Sequence, residues 1–135
     1  MKTASWFNAG SMAGRVGISL GVPRRGVIGG YRLFRQLAPT REMLQWPRQA
    51  YEGRFFAMLG EMSPRKVWDQ LHEMTGGNEP VLMCFENPPF TEANWCHRRM
   101  VAQWFEATLG ERVPELNYEG PDLRLYVSPR VGRDL

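Results

Sequence analysis

The apolar positions change period several times along the chain, and each change marks an element. Residues 2–7, KTASWF, read as a short first strand. Residues 15–20, RVGISL, alternate and run into Gly21-Val22-Pro23, a strand ending in a turn. Gly26, Gly29 and Gly30 then mark a flexible loop. Thr40 is placed to cap a helical stretch, with Glu42 in its first turn, and Pro47 interrupts or bounds it. From Arg48 onward Tyr51, Phe55, Met58, Leu59 and Met62 recur at helical spacing. Ser63 followed by Pro64 predicts the start of the next helix. The serine caps it, and a proline at the first helical position lacks only an N–H that has no partner there. Val67, Trp68, Leu71 and Met74 make that helix's apolar face, and Gly76-Gly77 ends it.

The second half has a different texture. Pro80 opens VLMCF, residues 81–85, a continuous apolar run of strand length. A strand apolar on both faces belongs inside a parallel sheet covered by helices. A loop with Pro88 and Pro89 follows. Asn94 is a candidate cap for a helix whose buried stripe is Met100, Val101, Trp104 and Phe105, ended by Gly110. Residues 112–118 predict another strand, held to an edge or bulge by Pro114. Residues 123–127, LRLYV, are strand-like, and the remainder reads as a tail. This order predicts an α/β domain with a mainly parallel sheet flanked by helices in two or three layers. The domain is expected over residues 1–118, with residues 119–135 as an extension.

At 135 residues the chain fits one domain with one core, and its 43% hydrophobic content excludes global disorder. No apolar run approaches the roughly 18 residues of a membrane span. Asn8 and Arg15 interrupt the N-terminal stretch, which argues against a secretory signal and for a cytoplasmic location. Two cysteines in that compartment read as thiols rather than as a disulfide. The net charge of +3 conceals an asymmetry. Residues 1–41 hold seven basic residues and no acidic one, leaving ten basic and fourteen acidic residues in the remainder. Such a one-sided distribution predicts an anionic partner. The glycines of the RRGVIGGY loop match neither GxGxxG nor a GKS/GKT phosphate loop.

Candidate chemistry gathers in residues 84–99, CFENPPFTEANWCHRR. Cys84 falls near the end of an inner strand and Glu86 just beyond it, with Cys96, His97 and Arg98 at the start of the next helix. In open α/β sheets ligands bind outside the carboxyl ends of the strands, and a helix start offers free N–H groups to an anion. A thiol there, beside a histidine and arginines, tends toward the thiolate. Cys96 is therefore the candidate nucleophile, Glu86 the candidate acid or base, and His97 an orienting or proton-sharing group. Arg98, with Arg24 and Arg25 from the basic segment, is a candidate anion ligand. Cys84 reads mainly as a core residue at the site's edge. No metal site and no cofactor are expected. The spacing matches no C-x₂-C pattern, and adjacent residues on a helix point about 100° apart.

These residues carry a resemblance to the domain of unknown function 488 family, also called YeaO-like. It rests on Met83-Cys84-Phe85-Glu86, Cys96-His97-Arg98 and the helix Met100-Val101-Ala102-Gln103-Trp104. Gly17-Ile18-Ser19, Leu37-Ala38-Pro39-Thr40, Tyr51 with Phe55, and Val113-Pro114-Glu115-Leu116 support it, so it spans about residues 3–116. The resemblance implies an α/β domain with a Cys/Glu/Cys-His-Arg site in bacterial, archaeal or phage settings, and no established activity. The expected partner is an anionic, nucleotide-like small molecule. The alternative is a nucleic acid, met by the basic segment with Trp6, Phe7, Tyr31 and Phe34 interleaved. No membrane partner is expected.

Overall fold

A parallel strand needs a crossover, and the described residues supply four strands separated by long connections. The computed structural model describes residues 1–122. Strands β1 (Lys2–Ser5), β2 (Arg15–Gly17), β3 (Arg32–Leu33) and β4 (Val81–Cys84) form one sheet in the order β1-β4-β2-β3, with every pairing parallel. The last strand among the described residues is thus an inner strand, as its continuous apolar run requires. Two 3-10 turns, Arg35–Leu37 and Glu42–Gln45, precede helices α1 (Arg48–Gly60) and α2 (Pro64–Met74), and α3 (His97–Leu109) follows β4.

The pleat sorts β4 into two faces. Leu82, with Val16 and Ile18 from the β2 stretch, packs into a core shared with Tyr51, Phe55 and Leu59 of α1, Val67 and Leu71 of α2, and Met100, Val101 and Phe105 of α3. Val81 and Met83 face the other way. They meet Ala4 and Trp6, covered by Met12, Val27, Tyr31 and Leu116 from irregular segments. The helices therefore share one core, and loops cover the opposite face.

Local signals explain the boundaries. The Ser63 hydroxyl accepts from the Lys66 amide at 3.3 Å and caps α2. Gly110 closes α3 in the left-handed conformation, with φ of 71°. Gly14 is required by close approach. A Cβ there would lie 1.9 Å from the Glu79 carbonyl oxygen.

Several expectations are corrected. Thr40 caps no helix: the stretch is only a 3-10 turn with Arg41 before it and no side-chain cap, and Pro47 ends it before an α-helix can propagate. Residues 112–118 form no strand. They contribute one parallel bridge, Thr3 to Glu115. The glycine-rich loop leads into β3 and is pinned by buried Arg15. Its guanidinium donates to the carbonyls of Met12 at 2.9 Å, Ile28 and Gly29. Asn94 does not cap α3. Cys96 occupies that position, while the Asn94 amide donates to the Asn87 and Pro89 carbonyls across the loop. The strand expected at residues 123–127 lies outside the described residues.

Candidate functional site

The ends of β2 and β4 and the start of α3 open onto one cavity of about 440 Å³. Ser19, Leu20 and Gly21 line it from beyond β2, Cys84, Phe85 and Glu86 from the end of β4, and Trp95, Cys96 and His97 from the entry to α3. Leu44, Trp46 and Tyr51 close the remaining side. This is the carboxyl edge of the parallel sheet, where adjacent strands diverge into separate loops and leave a crevice.

At the floor of the cavity Cys84 and Cys96 are joined by a disulfide. This overturns the expectation of two separate thiols. β4 and α3 deliver the two sulfurs to one point although twelve residues separate them in sequence, and a guess about compartment contains no information on that convergence. Both residues are buried, so neither is an ordinary surface cysteine.

His97 completes the cluster. It is buried, its ring stacks edge-on against Phe55, and its Nε2 lies 2.8 Å from the Ile18 carbonyl oxygen. A carbonyl can only accept, so the proton sits on Nε2. The lone pair of Nδ1 then faces Cys96 Sγ at 4.0 Å. Burial, reinforced by the positive charge of Arg98, pushes the imidazole pKa down to about 4 against the opposing Ile18 hydrogen bond. The ring is neutral at physiological pH.

The directional argument against Cys96 and His97 acting together does not apply here. Cys96 is the residue before the helix, with an extended backbone at φ −148° and ψ 142°. The 100° rule holds only between two helical residues. Sγ of both cysteines and a ring nitrogen of His97 lie within 4.8 Å of one another.

The arginines are placed differently from expectation. Arg98 is fully buried and is not among the described residues that line the cavity. Its Nε and Nη2 donate to the two carboxylate oxygens of Glu115 at 3.0 and 2.8 Å. Nη2 also donates to the Glu86 carbonyl at 2.6 Å, and Nη1 to Cys84 Sγ at 3.3 Å. Four of the five guanidinium N–H groups of Arg98 are thus engaged within the protein. Its positional role is to tie the end of β4 to the segment after α3. Arg24 and Arg25 are exposed and lie outside the cavity lining. Glu86 does line the cavity, and among the described residues it is the lining's one charged side chain. Burial of Tyr51 and, less strongly, the nearby charge of Glu86 raise the Tyr51 phenol pKa, so Tyr51 stays protonated as a donor.

Sequence reasoning did not single out Ser19, Trp46, Tyr51, Trp95 or Glu115 as site residues. Ser19 accepts from Trp6 Nε1 at 2.9 Å and donates to the Gly21 carbonyl at 2.7 Å, fixing the turn at the cavity rim. Tyr51 and Trp95 meet edge to face with ring centroids 4.8 Å apart. The adjacency of Trp95 to Cys96 was the one available signal. Tyr51 lies far away in sequence and is brought in only by the packing of α1 on α3.

Fold and site together define a small parallel α/β domain with a cysteine–histidine cluster at the carboxyl edge of its sheet. The family described as domain of unknown function DUF488 matches residues 20–105, and the chain belongs to that family. Neither a curated protein nor a solved structure matches it. Among the described residues no helix is long and apolar enough to cross a membrane.

Proposed function

We propose that the protein binds a small planar molecule of nucleotide-like kind in this cavity. The observation that carries the reading is the joining, in one cavity, of an aromatic wall and a helix start. Trp46, Tyr51 and Trp95 offer ring surface to a heterocycle. The first turn of α3 offers backbone N–H groups and a partial positive charge to a single anionic group. Among the described residues the lining has no lysine or arginine, so the attraction for the anionic group comes from the start of α3. Glu86 and the protonated Tyr51 serve the polar edge of the heterocycle as acceptor and donor.

The test is a thermal-shift panel on the reduced protein. Ribonucleoside monophosphates raise Tm, the matching nucleosides raise it less, inorganic phosphate raises it least, and Trp95→Ala removes the response. A panel in which no monophosphate moves Tm rejects the reading.

A second reading, contact with nucleic acid, draws on the exposed aromatic pair Phe7 and Phe85, 6.3 Å apart by ring centroid, and on exposed Arg24, Arg25, Arg32, Arg35 and Arg41. It requires binding to single strands that weakens steeply with salt.

A further inference from the structure

The cluster of Cys84, Cys96 and His97 has a second property that the ligand reading does not use. Each residue offers one soft or borderline donor atom, and the three atoms lie within 4.8 Å of one another. Zinc holds thiolate sulfur at about 2.3 Å and imidazole nitrogen at about 2.0–2.1 Å, which places neighbouring tetrahedral ligands roughly 3.5–3.8 Å apart. The 4.0 Å between Cys96 Sγ and His97 Nδ1 is already close to that span.

The backbone supports the same conclusion. The Cα atoms of Cys84 and Cys96 stand 7.3 Å apart. Disulfides usually span about 4.4–6.8 Å between Cα atoms, whereas two thiolates that share a third atom accommodate a wider separation. The strand end and the helix start thus hold the two Cα atoms at a spacing that also suits two thiolates sharing an ion.

The surroundings are those of a metal ligand set. His97 donates its far nitrogen to the Ile18 carbonyl at 2.8 Å, which fixes the tautomer and aims Nδ1 inward. Arg98 Nη1 lies 3.3 Å from Cys84 Sγ, a donor that offsets thiolate charge. All three residues also line the cavity, so an ion they hold keeps a fourth position facing it. Three protein ligands with one open position is the arrangement of catalytic rather than structural zinc.

We infer that in the reduced protein Cys84, Cys96 and His97 bind one zinc ion whose fourth position opens to the cavity, and that the disulfide is the metal-free, oxidised form of the same site. A dithiol reductant supplies the two electrons and two protons that convert the disulfide into two thiols and itself closes to a disulfide. A phosphine supplies the two electrons and leaves as its oxide, with water giving the two protons and the oxygen. Zinc then displaces the two thiol protons and takes the Nδ1 lone pair. The open position faces the cavity that Glu86 also lines. Metal binding does not depend on the ligand reading, because it is measured without any nucleotide present.

The test uses the whole chain reduced with tris(2-carboxyethyl)phosphine under anaerobic conditions and titrated with cobalt(II), then with zinc. One equivalent of cobalt develops thiolate-to-cobalt charge-transfer absorption and the intense visible bands of a tetrahedral ion. Zinc bleaches both and protects two thiols from a disulfide reagent. The unreduced protein, which needs no substitution, develops neither feature. His97→Gln weakens the cobalt complex by at least about tenfold, the low end of what losing even an outer-sphere partner costs. A reduced wild-type chain that shows no charge-transfer band, or whose two thiols react equally fast with and without zinc, overturns the inference. An undiminished cobalt complex in a folded His97→Gln overturns the role of His97.

Discussion

At the scale of single residues, burial decides what each charged group is for. Arg98 and Glu115 are both almost completely buried, and they pair through two parallel hydrogen bonds. Thr3 Oγ1 donates a further bond to Glu115 at 2.6 Å, so neither oxygen of the carboxylate is left bare. Removing one partner strands the other charge in a low-dielectric interior. Arg98→Met is therefore expected to cost about 3–5 kcal/mol in urea unfolding, whereas Arg98→Met combined with Glu115→Leu recovers most of that loss. Equal destabilisation by the single and the double variant would show that the pair is not what holds the end of β4. Arg99 illustrates the same logic half-buried. It binds both carboxylate oxygens of Asp122, at 3.0 and 2.8 Å, together with Thr3 Oγ1 and the Val113 carbonyl. Adjacent arginines in the sequence thus brace two different parts of the last segment.

At the scale of elements, the legible parts were those whose signal is local. α2 was readable because Ser63, Pro64 and a clean apolar stripe all lie within one short stretch. β4 was readable as an inner strand because no position in it is polar. β3 was not, since its two residues are both exposed and it is a strand only by pairing with β2. The site divides the same way. Its location followed from a strand end and a helix start, but its arginine did not. Whether an arginine faces a ligand or a buried glutamate depends on residue 115, which no spacing rule connects to residue 98. Glycines test the element picture directly. Gly14→Ala drives a methyl into the Glu79 backbone and should cost about 1–3 kcal/mol. Gly53→Ala, on the exposed side of α1 with nothing within 4 Å of the new methyl, should add about 0.5–1 kcal/mol. Chemical denaturation of the two variants measures both, and a reversal of sign in either contradicts the positions given to Glu79 or α1.

At the scale of the molecule, the parallel sheet is what makes a site from distant residues. Strand order β1-β4-β2-β3 places β4 between β1 and β2, so the β4 and β2 exits lie side by side. Helix α3 starts from the same edge, and α1 packs against α3 to bring Tyr51 to the rim. The basic N-terminal segment then takes on a divided role, with Arg15 buried as a loop clamp and the remaining arginines at the surface. The central claim is that the carboxyl edge of the sheet, rather than this basic surface, receives the ligand. Backbone amide shifts in the NMR spectrum, recorded on the reduced protein as AMP is added, test it most directly. The account predicts saturable shifts concentrated at Ser19, Tyr51, Glu86, Trp95 and His97. Shifts confined to the basic stretch from Arg24 to Arg35, with the cavity residues unmoved, would contradict it.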